Sequence, residues 1–122
     1  MVEAMNIINP HMLPKVRSEA MRTSPKDHEY PCALRIGTFI GTPCSGQTTC
    51  IGAHLPIFGK GTSTKVTDLA MVVGCASCHD LLDWERNPQG RVIREKYPLA
   101  FGLQLLNAVF ETQSRWLDDG II

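Results

Sequence analysis

The sequence predicts a small α+β domain stapled by a four-cysteine zinc site, and three observations predict it. Cys75 and Cys78 stand two residues apart, with Cys32 and Cys44 upstream. Two short runs of strand character, residues 50–55 and 69–73, lie either side of a Gly-rich turn. The longest helical periodicity comes last, over residues 99–117. At 122 residues the chain matches one domain, since domains commonly run to about 100–150 residues. A chain this short gains from a metal staple beside its modest core.

The first stretch, residues 1–31, reads as a basic, partly flexible arm punctuated by Pro10, Pro14, Pro25 and Pro31. Leu13 to Met21 has room for a short helix within it, and Lys15, Arg17, Arg22 and Lys26 carry the charge. The remainder, residues 32–122, forms the domain proper. Ala33-Leu34-Arg35-Ile36 has the composition of a short strand. Residues 37–49 are rich in Gly, Thr, Ser and Pro and read as a loop. In the run 50–55, Ile51 and Ala53 share one face and His54 takes the other. The turn Gly59-Lys60-Gly61-Thr62-Ser63-Thr64-Lys65 carries two lysines. Residues 69–73 form a second short strand, which Gly74 ends.

A helix starts within Cys75-Ala76-Ser77-Cys78-His79 and runs to about Glu85, where Asn87-Pro88-Gln89-Gly90 breaks it. In the last helix Leu103, Leu106, Phe110 and Leu117 fall on one face, widened by Val109 and Trp116. Gly120 suits a left-handed cap behind it.

Two cysteines separated by two residues present both sulfurs to one tetrahedral ion, and a second pair must complete the set. Cys32 and Cys44 flank a segment short enough to fold back. Cys50 competes with Cys44 for the fourth position. Cys44 is preferred because it follows Pro43 in a loop, whereas Cys50 opens a strand, where a small buried cysteine is at home. Four thiolates leave no open coordination position, so such a zinc is structural. Cys75-Ala76-Ser77-Cys78-His79 also fits the haem-attachment pattern, but that reading needs export and leaves Cys32 and Cys44 without a role. A thioredoxin-like redox pair lacks its βαβ setting.

The 12 basic and 12 acidic residues cancel, so bulk charge does not point to nucleic acid and any phosphate contact is local. No apolar run reaches the about 20 residues of a membrane span, and no membrane association is expected. The first residues lack the pattern of a secretory signal, so a cytoplasmic location with reduced thiols is expected.

Asp83 lies four residues after His79, on the same helical face, where the pair can hold one divalent cation. His54 can then face that ion and take a proton from an attacking water, the task of a base in phosphodiester hydrolysis. Asp68 can steady the His54 ring or complete the metal shell. Each residue also has a plain structural reading: a turn aspartate, a solvated helix position, a strand histidine with its own partner.

Taken in order, the early cysteines, strand histidine, Gly-rich turn, aspartate and Cys-x-x-Cys-His resemble an HNH, or ββα-metal, nuclease with a four-cysteine zinc knuckle. More closely, Cys44-Ser45-Gly46, Gly52-Ala53-His54-Leu55-Pro56, Gly59-Lys60-Gly61-Thr62, Thr67-Asp68-Leu69 and Cys75-Ala76-Ser77-Cys78-His79-Asp80-Leu81-Leu82-Asp83 are similar to phage and prophage nucleases of the YbcO type. The resemblance covers roughly residues 30–120 and is weaker toward the end. It implies a small DNA endonuclease of a phage or prophage in its bacterial host, acting in recombination or replication. It also implies His54 as general base, Asp68 in the middle position where Asn is usual, and His79 as the final metal-binding histidine. A magnesium, manganese or zinc ion would serve catalysis beside the structural zinc. The chain departs from the pattern at Ala53, where many such enzymes place an acidic or histidine ligand, so Asp83 or Asp68 would have to compensate.

Phosphate contacts are expected from Lys60 and Lys65 in the turn and from Arg86, Arg91, Arg94 and Lys96 further on. Glu85 and Glu95 interrupt the second cluster, as on an ordinary solvated surface. Neither cluster interleaves aromatics for base stacking, so DNA would be read by backbone and shape. Two other readings stand beside the nuclease: a non-catalytic zinc-knuckle module that binds nucleic acid, and a zinc-stabilised protein that binds another protein. The apolar final helix can pack at home or against a second copy, forming a homodimer.

Overall fold

In a computed structural model, residues 15–56 and 68–122 are described, with side chains from Glu19 and from Leu69 onward in the two stretches. The described residues form four helices and a two-stranded sheet: α1 (Lys15–Asp27), β1 (Ile51–His54), β2 (Met71–Gly74), α2 (Ala76–Leu82), α3 (Pro88–Lys96) and α4 (Pro98–Asp118). The strands pair antiparallel, with Ile51 opposite Gly74 and His54 opposite Met71. The Leu55 N–H bonds the Ala70 carbonyl at 3.0 Å and extends the ladder by one step. Every residue of β2 is buried, because α4 lies against this strand while α1 covers β1. Gly52 permits the α1 crossing: a Cβ there would stand 2.6 Å from Met71 Sδ and 3.1 Å from Arg22 Cα.

Part of the segment before residue 31 joins this core. Its helix begins at Lys15 and runs six residues beyond Met21, the expected end. Met21, Ser24 and Tyr30 are buried against the rest of the molecule. Pro25 lies inside the helix and has no N–H for the Met21 carbonyl one turn back. The Ser24 hydroxyl supplies the missing bond, donating to Met21 O at 2.7 Å. Ser24 Oγ in turn accepts the indole N–H of Trp116 at 2.9 Å, which locks α1 to α4.

Three expectations for local structure need correction. Residues 33–36 form no strand: the Ala33 and Leu34 N–H groups converge on one carbonyl, Val73 O, at 2.8 and 3.1 Å. Arg35 then takes a left-handed φ of 46° and leads into a 3-10 helix, Ile36–Ile40. That turn swings the Arg35 N–H back to Cys32 Sγ at 3.4 Å, so the local backbone serves the sulfur instead of a ladder.

Second, the helix after Cys75 stops at Leu82, and Asn87-Pro88-Gln89-Gly90 starts a further helix instead of merely ending one. Asn87 Oδ1 accepts from the Gln89 and Gly90 N–H groups at 2.9 and 3.1 Å, with Pro88 in the first turn. An Asn cap followed by Pro is a helix-start signal. Third, α4 buries a different face from the one its leucines mark. Phe101, Ala108, Thr112 and Trp116 point inward, while Leu103, Leu106, Phe110 and Leu117 are exposed.

Polar side chains explain the choice of face on α4. Thr112 Oγ1 accepts the Val73 N–H at 3.1 Å, and Gln104 donates to the Ala33 and Leu34 carbonyls at 3.2 and 2.8 Å. The expected left-handed cap is present, with Gly120 at φ 71°. Among the described residues no helix is long and apolar enough to cross a membrane.

Candidate metal centre and the adjoining cavity

The four cysteines singled out by spacing meet in space. The Sγ atoms of Cys32, Cys44, Cys75 and Cys78 all lie within 4.8 Å of one another. A tetrahedral ion with zinc–sulfur bonds of about 2.3 Å needs sulfurs about 3.8 Å apart, and Cys44 Sγ stands 4.0 Å from Cys78 Sγ. Three of the four residues are buried. Cys44 sits on an exposed loop but turns its sulfur inward. The set can therefore hold one structural metal ion such as zinc. Cys50 is not part of it; its thiol contacts the Gly46 carbonyl at 3.7 Å, and burial pushes it up to about 11.

Each ligand comes from a distinct local device. Cys32 precedes the Arg35 turn, Cys75 is the N-cap of α2, and Cys78 lies one turn into that helix. The Cys75 side chain does not cap the helix. The first turn is satisfied from the loop instead: Thr49 Oγ1 accepts the Ala76 N–H at 3.1 Å and Ser45 Oγ accepts the Ser77 N–H at 3.0 Å. Ser45 and Thr49 also bond each other at 3.0 Å. The loop that carries Cys44 is thus clamped to the helix that carries Cys75 and Cys78. Ser45, Thr49 and Arg35 escaped the sequence reading; the Ser/Thr density of the loop was the available signal for the first two.

Electrostatics divide the four thiols, lowering two and raising two. A hydrogen bond from Cys78, helped by the Arg35 N–H, draws Cys32 down to about 4 despite burial. Burial pushes Cys75 up, but bonds from Ser77 and from the Cys78 and Ser45 backbone outweigh it, leaving the thiol at about 7. Burial and the bond with Cys32 raise Cys44 to about 12, and the bond with Cys32 together with burial raises Cys78. Four thiols compete for negative charge, a conflict that a dication resolves by holding all four as thiolates. Arg35 stands beside them, donating to Cys32 O at 3.1 Å and bidentately to Glu111 at 3.1 and 2.8 Å.

On the outer side of α2 is an open cavity of about 530 Å³, to which His79, Asp80, Asp83 and Arg86 contribute, with Asn87 to Gln89 from the start of α3. His79, Asp83 and Arg86 all line it, although the helix ends at Leu82 and Asp83 stands at its C-cap, not on the helical face shared with His79 that the sequence suggests. Gly90 lets α3 close one side: a Cβ there would stand 2.1 Å from Leu81 O. Arg91 is turned away, donating to the Glu85 carbonyl at 2.7 Å, and Arg94 lies over the Trp84 ring at 4.3 Å.

His54 is not among the described residues lining this cavity. It is half-buried on β1 opposite Met71, three residues along the strand from the step that leads to Cys75, or about 10 Å. Ala53 beside it is buried. The backbone of Asp68 opens a 3-10 turn, Asp68–Ala70, at that same end of the hairpin, but its side chain lies outside the described residues. Lys60 and Lys65 also lie outside them. Among the described residues no second group of three metal-donor side chains converges.

The chain matches no family model, no curated protein and no solved structure in the three comparisons.

Proposed function

We propose that this protein is a zinc-stapled, metal-dependent DNA endonuclease of HNH type, belonging to a phage or prophage and acting in recombination or replication in the bacterial cytoplasm. The observation that carries the reading is the cavity beside the four-cysteine centre, which His79, Asp83 and Arg86 all line. Immediately after the ligand Cys78, His79 and Asp83 offer a nitrogen and a carboxylate to a magnesium, manganese or zinc ion. Arg86 offers charge to a phosphate. His54 is the general base in this reading, and Asp68 its steadying partner or an added ligand. The zinc on Cys32, Cys44, Cys75 and Cys78 is structural, joining the loop, the Arg35 turn and α2.

The decisive experiment is a cleavage panel of duplex, single-stranded and branched DNA with each of the three metals, run beside His54→Ala and His79→Ala. Loss of a general base costs about 10²–10⁴-fold, so each variant should lose at least about 100-fold in rate. A His54→Ala protein that cleaves as fast as its parent sinks the assignment.

A second reading, a nucleic-acid-binding module without catalysis, has one observation in its favour. No second three-donor group converges among the described residues, and buried Ala53 occupies a position where a ligand is common. DNA binding without cleavage under every metal would establish it. Elemental analysis tests the staple separately: one zinc per chain, lost in the Cys75→Ser, Cys78→Ser double variant.

A further inference from the structure

The apolar face that α4 turns to solvent has the spacing of a helix–helix seam. Leu99, Leu103, Leu106, Phe110 and Leu117 are 48–76% exposed. With Gln113 they fall at alternating intervals of four and three, the 3.5-residue period of two helices packed along their length. Such a period is distinct from the inward face of the same helix, which is already filled by Phe101, Ala108, Thr112 and Trp116.

Charge decides what covers it. The other exposed positions between Leu99 and Leu117 are Ala100, Gly102, Asn107 and Ser114, small or uncharged throughout. Glu111 pairs with both Arg115 and Arg35 at the flank. A face without charge meets an identical face with no like-charge penalty, and it offers nothing to an acidic or basic partner. The ends add complementarity. Exposed Lys96 precedes the helix and exposed Asp118 closes it. In an antiparallel pair centred between Leu106 and Phe110, Asp118 of each copy falls opposite Pro98 of the other, two residues from Lys96. That register sets Leu106 against Phe110 and Leu99 against Leu117, and it opposes the two helix dipoles. The five large side chains, each 48–76% exposed, form the centre of the face, and a stable specific pair must bury about 1,200 Å² in all across it.

We propose that this face is the interface of an antiparallel homodimer of the chain. The claim stands independently of the nuclease reading. Sedimentation and light scattering of the full chain, from micromolar concentration upward, should give twice the 13.5 kDa chain mass. Leu106→Lys and Phe110→Glu should each leave a monomer with unchanged circular dichroism and zinc content, because both residues are exposed. Combined in one chain they should restore the doubled mass, since the antiparallel register sets the introduced lysine of one copy against the introduced glutamate of the other. A parent chain that stays monomeric overturns the proposal and points to residues 1–14 or another protein as the cover. A dimer indifferent to both single variants also overturns it, and a double variant that stays monomeric overturns the register.

Discussion

Ser24 joins two buried groups that would otherwise lack partners. Its hydroxyl donates to the Met21 carbonyl freed by Pro25, and its oxygen accepts the Trp116 indole N–H. Ser24→Ala should cost about 2–4 kcal/mol in urea unfolding, because a buried polar group left unpaired costs about 1–3 kcal/mol and here there are two. Thr112→Val should cost about 1–3 kcal/mol by the same physics, leaving the Val73 N–H without its acceptor. Glu111 makes a pH-dependent contribution. Burial alone would raise its carboxyl, but the hydrogen bond and charge of Arg35, with Arg115, hold it below the usual range. A depressed folded pKa means stability that is present above the unfolded pKa and lost as pH falls through the folded value. Glu111→Gln should therefore cost up to about 1 kcal/mol at neutral pH. The gap from the parent should close below the ordinary carboxylate range, as read from thermal unfolding across pH.

At the scale of elements, the metal centre is built by termini and turns. The left-handed Arg35 turn, the N-cap position of Cys75 and the Ser45–Thr49 contacts hold the sulfurs, and none of these is a regular strand or helix interior. The joint between α2 and α3 is equally tight. Gly90→Ala would drive a Cβ into the Leu81 carbonyl, whose backbone cannot swing aside. The helices must part, at a cost of about 1–3 kcal/mol, and the cavity shared by His79 and Asn87 must widen. A lower urea midpoint is the expected result, and under the proposed nuclease function the affinity for a divalent cation at His79 and Asp83 should change with it. Asn87 could be recognised as a cap from Pro88 behind it, because that signal is local. The lost strand at residues 33–36 could not, because its backbone is recruited by Cys32 and Val73 from outside the segment.

Across the whole molecule, the core and the candidate metal centre share Cys32, Cys75 and Cys78, so an ion held there would link its binding to folding. Chelation should lower the melting temperature and speed amide exchange first in α2 and the Cys44 loop. The β1–β2 ladder, covered by α1 and α4, should exchange last. The sequence by itself determined the cysteine pair, the preference for Cys44 over Cys50, the two strands and the final helix. All of these rest on spacing along a short stretch of chain. Only the tertiary structure decided which face of α4 is buried, that Met21, Ser24 and Tyr30 join the core, and that His79 shares a cavity with Arg86 while His54 stands on another element. Periodicity records where apolar side chains recur, but which stripe turns inward depends on distant backbone groups seeking partners. Thr112 and Gln104 answer Val73, Ala33 and Leu34, and that match exists only once the chain has closed on itself.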